Sequence, residues 1–136
     1  MKYTITGSTG NISKPLTQKL LDAGHQVRII TSRESHIAEI EALGAETLTG
    51  SILDTEFLSK AFAGADAVYT MIPPKMDADN WQQFIYSAGR SSIEAAVRAG
   101  VKKIVNLSSM GAHLKKRRRA GKPIPPCGRI IQPVKC

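Results

Sequence analysis

The first thirty or so residues alternate between strand and helix patterns, and the same alternation continues to about residue 107. A β-branched and aromatic run at 3–6 stops at Gly7, a helical leucine face follows at 14–23, and a second strand pattern occupies 26–30. Strand, helix and strand in so short a stretch predict a βαβ unit, because parallel neighbours need a crossover connection. This unit restricts the fold to the α/β class.

The later segments repeat this order. The patterns predict a helix at 34–43, a strand at 46–49, a helix at 55–63 with Asp54 as N-cap, a strand at 67–72, a helix at 79–99 and a strand at 101–107. Because crossovers are right-handed, this order predicts a Rossmann-type, doubly wound parallel sheet with strand order 3-2-1-4-5.

The net charge of +8 is confined to the end of the chain. Residues 1–114 contain 11 Lys and Arg against 11 Asp and Glu, whereas residues 115–136 contain eight basic side chains and no acidic one. We therefore expect an α/β domain at 1–114 and a basic, proline-containing tail at 115–136 without regular structure.

Several classes of partner are not expected. The basic run at 115–119 has no aromatic side chain after it to stack on bases, which favours a solvated tail over a nucleic-acid contact. The pattern and the charge balance both end at Leu114, so a tail translated out of frame is a further explanation. The cysteines and histidines have no metal-ligand spacing, no apolar run is long enough for a membrane span, and a cytoplasmic location is expected.

The strongest chemical signal is the turn between the first strand and the first helix, Gly7-Ser8-Thr9-Gly10-Asn11-Ile12. Glycine at position 7 allows a sharp turn, and glycine at position 10 allows a phosphate to approach the backbone. The helix behind the turn offers amide groups and a positive dipole end to an anion. Ser13 replaces the third glycine of the usual dinucleotide-binding pattern, and its small side chain is compatible with close helix packing.

Arg33 favours NADP over NAD as the bound dinucleotide. Folds that bind NAD usually place a carboxylate after the second strand to bond the ribose hydroxyls, whereas this chain has Thr31-Ser32-Arg33. A guanidinium there pairs with a 2′-phosphate, with Ser32 as a further donor. An ordinary solvated arginine is the alternative, so NAD stays possible.

Four segments together resemble the NmrA-like, atypical branch of the short-chain dehydrogenase/reductase superfamily. They are Thr-Gly-Ser-Thr-Gly-Asn-Ile, Val-Arg-Ile-Ile-Thr-Ser-Arg, Ala-Gly-Ala-Asp-Ala-Val-Tyr with Ile-Pro-Pro, and Ala-Gly-Val-Lys-Lys-Ile-Val-Asn-Leu-Ser-Ser. The resemblance covers residues 1 to about 114. It implies a partial NAD(P)-binding domain, truncated after about residue 114, with the glycine turn on the pyrophosphate, Arg33 on the 2′-phosphate, and Ile72 and Pro73 near the ribose and nicotinamide.

Other positions depart from the family pattern. Gly50 is followed by Ser51, where the family often has an acidic residue that meets adenine. Short-chain reductases use a Tyr-x-x-x-Lys pair beyond the fifth strand, but no tyrosine follows Tyr86. Ser108 and Ser109 lie where a catalytic serine would be, or act as ordinary caps. The catalytic residues are therefore unknown.

The resemblance leaves several functions open. We expect an NADPH-dependent oxidoreductase acting on a quinone or another small carbonyl acceptor, represented by its cofactor half. An NADP(H)-sensing regulator without turnover and an inactive truncated product are the alternatives. The substrate is unknown, and an incomplete sheet predicts self-association through the exposed edge of the fifth strand.

Overall fold

The computed structural model describes residues 1–7, 10–72 and 80–107, together with the backbone of 117–119 and 122–124. The elements are β1 (Lys2–Thr6), α1 (Ser13–Asp22), β2 (Gln26–Thr31), α2 (Ile37–Ala42), β3 (Glu46–Thr49), α3 (Thr55–Phe62), β4 (Ala67–Thr70), α4 (Trp81–Arg98), β5 (Lys103–Asn106), β6 (Arg117–Arg119) and β7 (Lys122–Ile124).

The first five strands form one parallel sheet with the order β3-β2-β1-β4-β5, which confirms the predicted topology. β1 lies at the centre, and Ile5 aligns with Ile29 of β2 on one side and with Tyr69 of β4 on the other. The chain extends the sheet in one direction through β2 and β3, then returns past β1 to add β4 and β5. The reversal lies between β1 and β4, where open α/β sheets bind their ligands.

Two apolar clusters cover the two faces of the sheet. Ile5 and Ile29 pack with Ile40 of α2, and the leucines of α1 contact this cluster. On the other face, Ile30 and Val68 pack with side chains of α3 and α4. Ile29 and Ile30 are consecutive and both buried, which is the continuous apolar pattern of a strand covered on both faces.

The ends of several elements differ from the prediction for local reasons. β4 ends at Thr70 because the next amide, that of Met71, donates to the Thr6 hydroxyl (3.1 Å) instead of continuing the ladder. α4 begins at Trp81 because the Asn80 side chain accepts from the Gln83 amide (3.1 Å) as an N-cap. The Asp54 cap was predicted correctly, since its carboxylate accepts from the Phe57 amide at 3.0 Å.

One further prediction was wrong in detail, because the segment predicted as one helix at 34–43 begins as a short 3-10 helix, Glu34–His36, before α2. In the basic tail, β6 and β7 pair as antiparallel strands; the remainder of 115–136 lies outside the described residues. Within the described part of the chain, no helix combines the length and apolar character that crossing a membrane requires.

A charged network joins three strands at the amino-terminal edge of the sheet. Arg28 Nε lies 3.0 Å from the Glu46 carboxylate, and the Lys2 ammonium lies 3.5 Å from the same oxygen. The Arg28 guanidinium also donates to the carbonyl of Ala61 near the end of α3 (2.6 Å). The hydrogen bond from Arg28, with the charges of Arg28 and Lys2, lowers the pKa of Glu46 against an opposing effect of burial.

We expect Glu46→Gln to lower the free energy of unfolding by less than about 1 kcal/mol at pH 7, because the carboxylate is half exposed and solvent screens the pair. Because the pKa of Glu46 is lower in the folded state than in the unfolded state, its carboxylate stabilises the fold above the unfolded pKa of about 4.3. This stabilisation is lost as the pH falls through the folded-state pKa. Urea unfolding measures the free energy of unfolding of the unaltered chain and of Glu46→Gln at pH 7 and pH 3. We expect the difference between the two to be smaller at pH 3.

Glu56→Gln is the matched control, because Glu56 pairs with Lys60 while both side chains are 77% exposed. This control should change stability by less than about 0.5 kcal/mol at either pH. An equal effect of the two substitutions at pH 7 would show that the network around Arg28 contributes nothing specific.

Candidate functional site

Backbone hydrogen bonds join two turns to the carboxyl end of β2. The Gly7 amide donates to the carbonyl of Ile30 at 3.1 Å, and the Gly50 amide donates to the carbonyl of Thr31 at 3.0 Å. The turn after β1 and the turn after β3 are thus attached to consecutive residues of one strand. This edge is the place where the sequence predicted the dinucleotide.

Gly7 has a backbone conformation that only glycine adopts readily, with φ of +116°. A Cβ atom built there would lie 3.1 Å from the terminal methyl of Met71 and 3.6 Å from the hydroxyl oxygen of Ser13. The sharp turn and the lack of space both require glycine. The assignment of Gly7 to a tight turn is therefore supported by two independent features of the backbone.

The start of α1 is open for an anion. Helical hydrogen bonding begins with the Lys14 amide on the carbonyl of Gly10 (3.1 Å), so Asn11 and Ile12 come before the first bonded amide of the helix. Among the residues that the structure describes, no side chain caps this helix, and its first turn has no acidic residue. Gly10, Asn11 and Ile12 are all exposed. This geometry suits a phosphate, because helix amides and the helix dipole both favour negative charge.

Ser13 begins α1 and is fully buried, so its side chain fits where the usual pattern has a third glycine. Its hydroxyl has no hydrogen-bond partner among the described residues, as also holds for Thr17 one turn later. The serine is accommodated at the start of α1, and its buried hydroxyl has no partner within the part of the chain that the structure describes.

Arg33 lies at the same edge, two residues beyond β2. Its backbone is extended (φ −120°, ψ 117°) and precedes the 3-10 helix, and the residue is exposed. No ion pair of its guanidinium with another described residue is present. Lys14 of α1, by contrast, pairs with Glu39 of α2 at 2.9 Å. Arg33 is thus available for an external anion.

The sequence interpretation missed a set of buried threonines that end the strands. Each of three central strands closes with a threonine that is at most 5% exposed, and its hydroxyl makes a hydrogen bond. The Thr6 and Thr31 hydroxyls accept from amides just beyond strand ends, those of Met71 (3.1 Å) and Arg33 (3.1 Å). The Thr70 hydroxyl donates to the side chain of Asn106, the last residue of β5 (2.9 Å). The signal was the recurrence of threonine at or near the predicted strand ends.

The turn after β3 has Ser51 where the resemblance predicts a carboxylate. The Ser51 hydroxyl accepts from the Leu53 amide (3.2 Å) and shapes the turn before α3. A Cβ at Gly50 would overlap the Phe57 ring, so glycine suits the packing there. Ile72, two residues beyond β4, is half-buried. Ser8, Thr9 and Pro73, the other predicted site residues, lie outside the described residues.

Tyr69 and Tyr86 lie on different elements of the fold, β4 and α4. Tyr86 is 60% exposed on α4, beside Arg90, Ile93 and Glu94 at a shallow depression. Tyr69 lies on β4, and burial raises the pKa of its phenol, which makes it a weaker proton donor. Ser108 and Ser109 lie outside the described residues. No group of three potential metal ligands occurs in the described ranges.

A profile of the family described as NAD(P)H-binding matches residues 7–127. The chain belongs to this family. The match includes the turn at Gly7, the sheet edge and Arg33, and it continues past Leu114, where the resemblance seen in the sequence ended. Membership confirms the dinucleotide class of cofactor and the resemblance to reductases of this superfamily.

Two curated relatives and one solved structure illustrate the family. Sterol demethylase protein B of Methylococcus capsulatus is 29% identical over 82% of this chain and 35% of its own length. The (4-alkanoyl-5-oxo-2,5-dihydrofuran-3-yl)methyl phosphate reductase of Streptomyces griseus is 30% identical over 78% of this chain and 34% of its own length. Triphenylmethane reductase of Citrobacter sp., complexed with NADP(H), is 25% identical with a TM-score of 0.71, covering 84% of this chain and 39% of that one. The chain spans about a third of the length of the curated relatives.

We expect Gly7→Ala to destabilise the protein by about 1–3 kcal/mol, because the positive φ is strained for alanine and the new methyl meets Met71. Gly64→Ala is the control: Gly64 also has positive φ (+74°), but nothing lies within 4 Å of its Cβ position. Urea unfolding measures both stabilities. The requirement for glycine at the turn is refuted if Gly7→Ala is no less stable than Gly64→Ala.

Proposed function

We propose that this chain is the cofactor-binding part of an NADPH-dependent oxidoreductase of the NmrA-like type. The observation that carries the proposal is the position of two anion-accepting features at one sheet edge, the turn at Gly7 and the exposed cation of Arg33. Both are attached to the last residues of β2, one through the Ile30 carbonyl and the other through Thr31. An NADP molecule has two phosphate groups to match them, the diphosphate and the 2′-phosphate.

The diphosphate is assigned to the turn Gly7, Ser8, Thr9, Gly10, Asn11 and Ile12. The support is the open amino end of α1, the absence of an acidic side chain in its first turn, and the conformation of Gly7. A diphosphate there accepts hydrogen bonds from backbone amides and meets the positive end of the helix dipole. Ile72 and Pro73 are assigned to the ribose and nicotinamide side, since β4 ends beside β1.

The 2′-phosphate is assigned to Arg33, which makes NADP the preferred cofactor and NAD the weaker one. The support is the exposed guanidinium without a described ion-pair partner, and the absence of a carboxylate at 31–33 that would favour ribose hydroxyls. The Citrobacter relative, which was solved with NADP(H), agrees with this preference.

The bound NADPH supplies a hydride to an acceptor, for which we propose a quinone or another small carbonyl compound. The residues of this chain hold and orient the dinucleotide; the proton donor is not assigned. A cytoplasmic location is part of this proposal. The alternative, a regulator that binds NADP(H) without turnover, is tested by oxidation of NADPH with a quinone acceptor in a full-length relative and in this chain. Binding in both with turnover in neither would favour the regulator.

We expect Arg33→Ala to weaken NADPH binding about tenfold to a hundredfold, because a charge-assisted contact with the 2′-phosphate is lost. NADH binding should change by less than about twofold, since NADH lacks this phosphate. Separate calorimetric titrations of the purified chain with NADPH and NADH measure both affinities.

Arg90→Ala is the matched control, because Arg90 is an exposed arginine on α4. It should leave both affinities unchanged. Equal affinity of the unaltered chain for NADPH and NADH would overturn the preference for NADP, and no binding of either would overturn the assignment of the glycine turn.

We also propose that the chain self-associates at the outer edge of β5. In the described part of the chain, β5 pairs only with β4, and Val105 and Leu107 are 59% and 40% exposed. An unpaired edge strand with exposed apolar side chains favours pairing with a second chain.

We expect Val105→Lys to reduce concentration-dependent association of the chain, because a lysine on an edge strand opposes strand pairing. Val97→Lys is the control, since Val97 on α4 is 60% exposed and outside the sheet. Sedimentation velocity over a range of concentrations measures the association. A monomer at all concentrations, or equal effects of both substitutions, contradicts association through β5.

A further inference from the structure

Thr31 holds both backbone groups of Arg33 with one hydroxyl. Its Oγ1 accepts from the Arg33 amide at 3.1 Å, and the hydroxyl lies 3.3 Å from the Arg33 carbonyl, to which it donates. Thr31 is 3% exposed, whereas Arg33 is exposed. A buried and rigid strand residue therefore fixes the backbone of an exposed residue two positions later.

The same short segment fixes its surroundings. The Thr31 carbonyl accepts from the Gly50 amide (3.0 Å), and the Arg33 carbonyl also accepts from the His36 amide (3.2 Å) at the start of the 3-10 helix. Arg33 thus leaves the sheet in one extended conformation between two fixed points. Only its side chain retains rotational freedom.

This restraint matters for recognition of a phosphate. A long side chain loses rotamer entropy when it binds, and a backbone that also had to be ordered would add to that cost. An arginine whose backbone is already fixed therefore loses less conformational entropy when its guanidinium binds an anion. If the Thr31 hydroxyl had no such role, valine would serve equally well at position 31. Valine has a methyl group in place of the hydroxyl and suits a buried strand.

We propose that Thr31 is a positioning residue for the 2′-phosphate: its hydroxyl fixes the backbone of Arg33 and so determines the selectivity for NADP over NAD. This inference rests on the proposed function of Arg33, and it adds a residue that does not itself contact the nucleotide. It predicts that loss of the Thr31 hydroxyl changes the ratio of the affinities for ligands with and without a 2′-phosphate, and not only the stability of the fold.

The test compares adenosine 2′,5′-bisphosphate with adenosine 5′-diphosphate, because only the first carries the 2′-phosphate. Calorimetry on the whole chain measures both affinities for the unaltered protein, Thr31→Val, Thr31→Ser and Arg33→Ala. We expect Thr31→Val to weaken binding of the bisphosphate about fivefold to tenfold and binding of the diphosphate by less than about twofold. Thr31→Ser keeps the hydroxyl and should restore the original ratio.

Thr6→Val is the matched control, since the Thr6 hydroxyl also accepts from a backbone amide beyond a strand end, that of Met71. This substitution should leave the ratio of the two affinities unchanged. Thermal unfolding monitors each variant, and Thr31→Ala replaces Thr31→Val if the valine variant does not fold.

The outcomes separate the two proposals. An unchanged affinity ratio in the Thr31 variants, with the ratio abolished in Arg33→Ala, overturns the role of Thr31 and leaves the function of Arg33 intact. A chain that binds both probes equally, with no effect of Arg33→Ala, overturns the assignment of Arg33 and the inference on Thr31 with it. Loss of the ratio in both Thr31→Val and Thr6→Val shows general loosening of the edge and also rejects the inference.

Discussion

The central position of β1 determines where a ligand is able to bind. β1 pairs with β2 along its whole length and with β4 at Tyr3, Thr4 and Ile5, so parallel strands flank it on both sides. The helix that follows β1 covers one face of the sheet, and the helices that connect to β4 and β5 cover the other. In sheets of this topology the ligand binds outside the carboxyl ends of the strands, at the point where the strand order reverses. Gly7 follows β1 directly at that point.

The turns at this edge are held by groups from the strand ends. Two turn amides donate to consecutive carbonyls of β2, and the buried hydroxyls of Thr6 and Thr31 accept from the backbone amides of Met71 and Arg33, which lie just beyond β4 and β2. Each such hydrogen bond satisfies a polar group that the end of the ladder would leave without a partner. The result is a rim with little freedom of its own. A preorganised rim binds a nucleotide at a smaller entropic cost than flexible turns do.

The sequence predicted the fold well and the ends of its elements less well. Strand order followed from the alternation, because only one handedness of crossover is common and each apolar run had the right length. The ends depended on single side-chain hydrogen bonds that hydrophobic periodicity does not reveal, such as Thr6 with the Met71 amide and Asn80 with the Gln83 amide.

The same limit applies to the site. The turn at Gly7 could be predicted because glycine favours tight turns with positive φ. The hydrogen bond of Thr6 with the Met71 amide could not be predicted, because it depends on how strands distant in sequence pair. The sequence does not indicate the paired strands of the basic tail, because Arg117–Arg119 has no alternating apolar pattern.

Affinity and selectivity for the dinucleotide depend on different parts of this edge. In the proposed site, the diphosphate is bound by backbone amides, which every residue except proline possesses, so the contact tolerates substitutions such as serine for the third glycine. Ser13 is buried without displacing the start of α1. Selectivity requires a particular side chain, Arg33, in a particular direction, because a guanidinium is suited to the geometry of a phosphate. In the proposed arrangement, the hydroxyl of Thr31 at the end of the same strand fixes the backbone from which that side chain extends. In this proposal the choice between NADP and NAD depends on two positions, 31 and 33, whereas the backbone contact with the diphosphate does not depend on particular side chains.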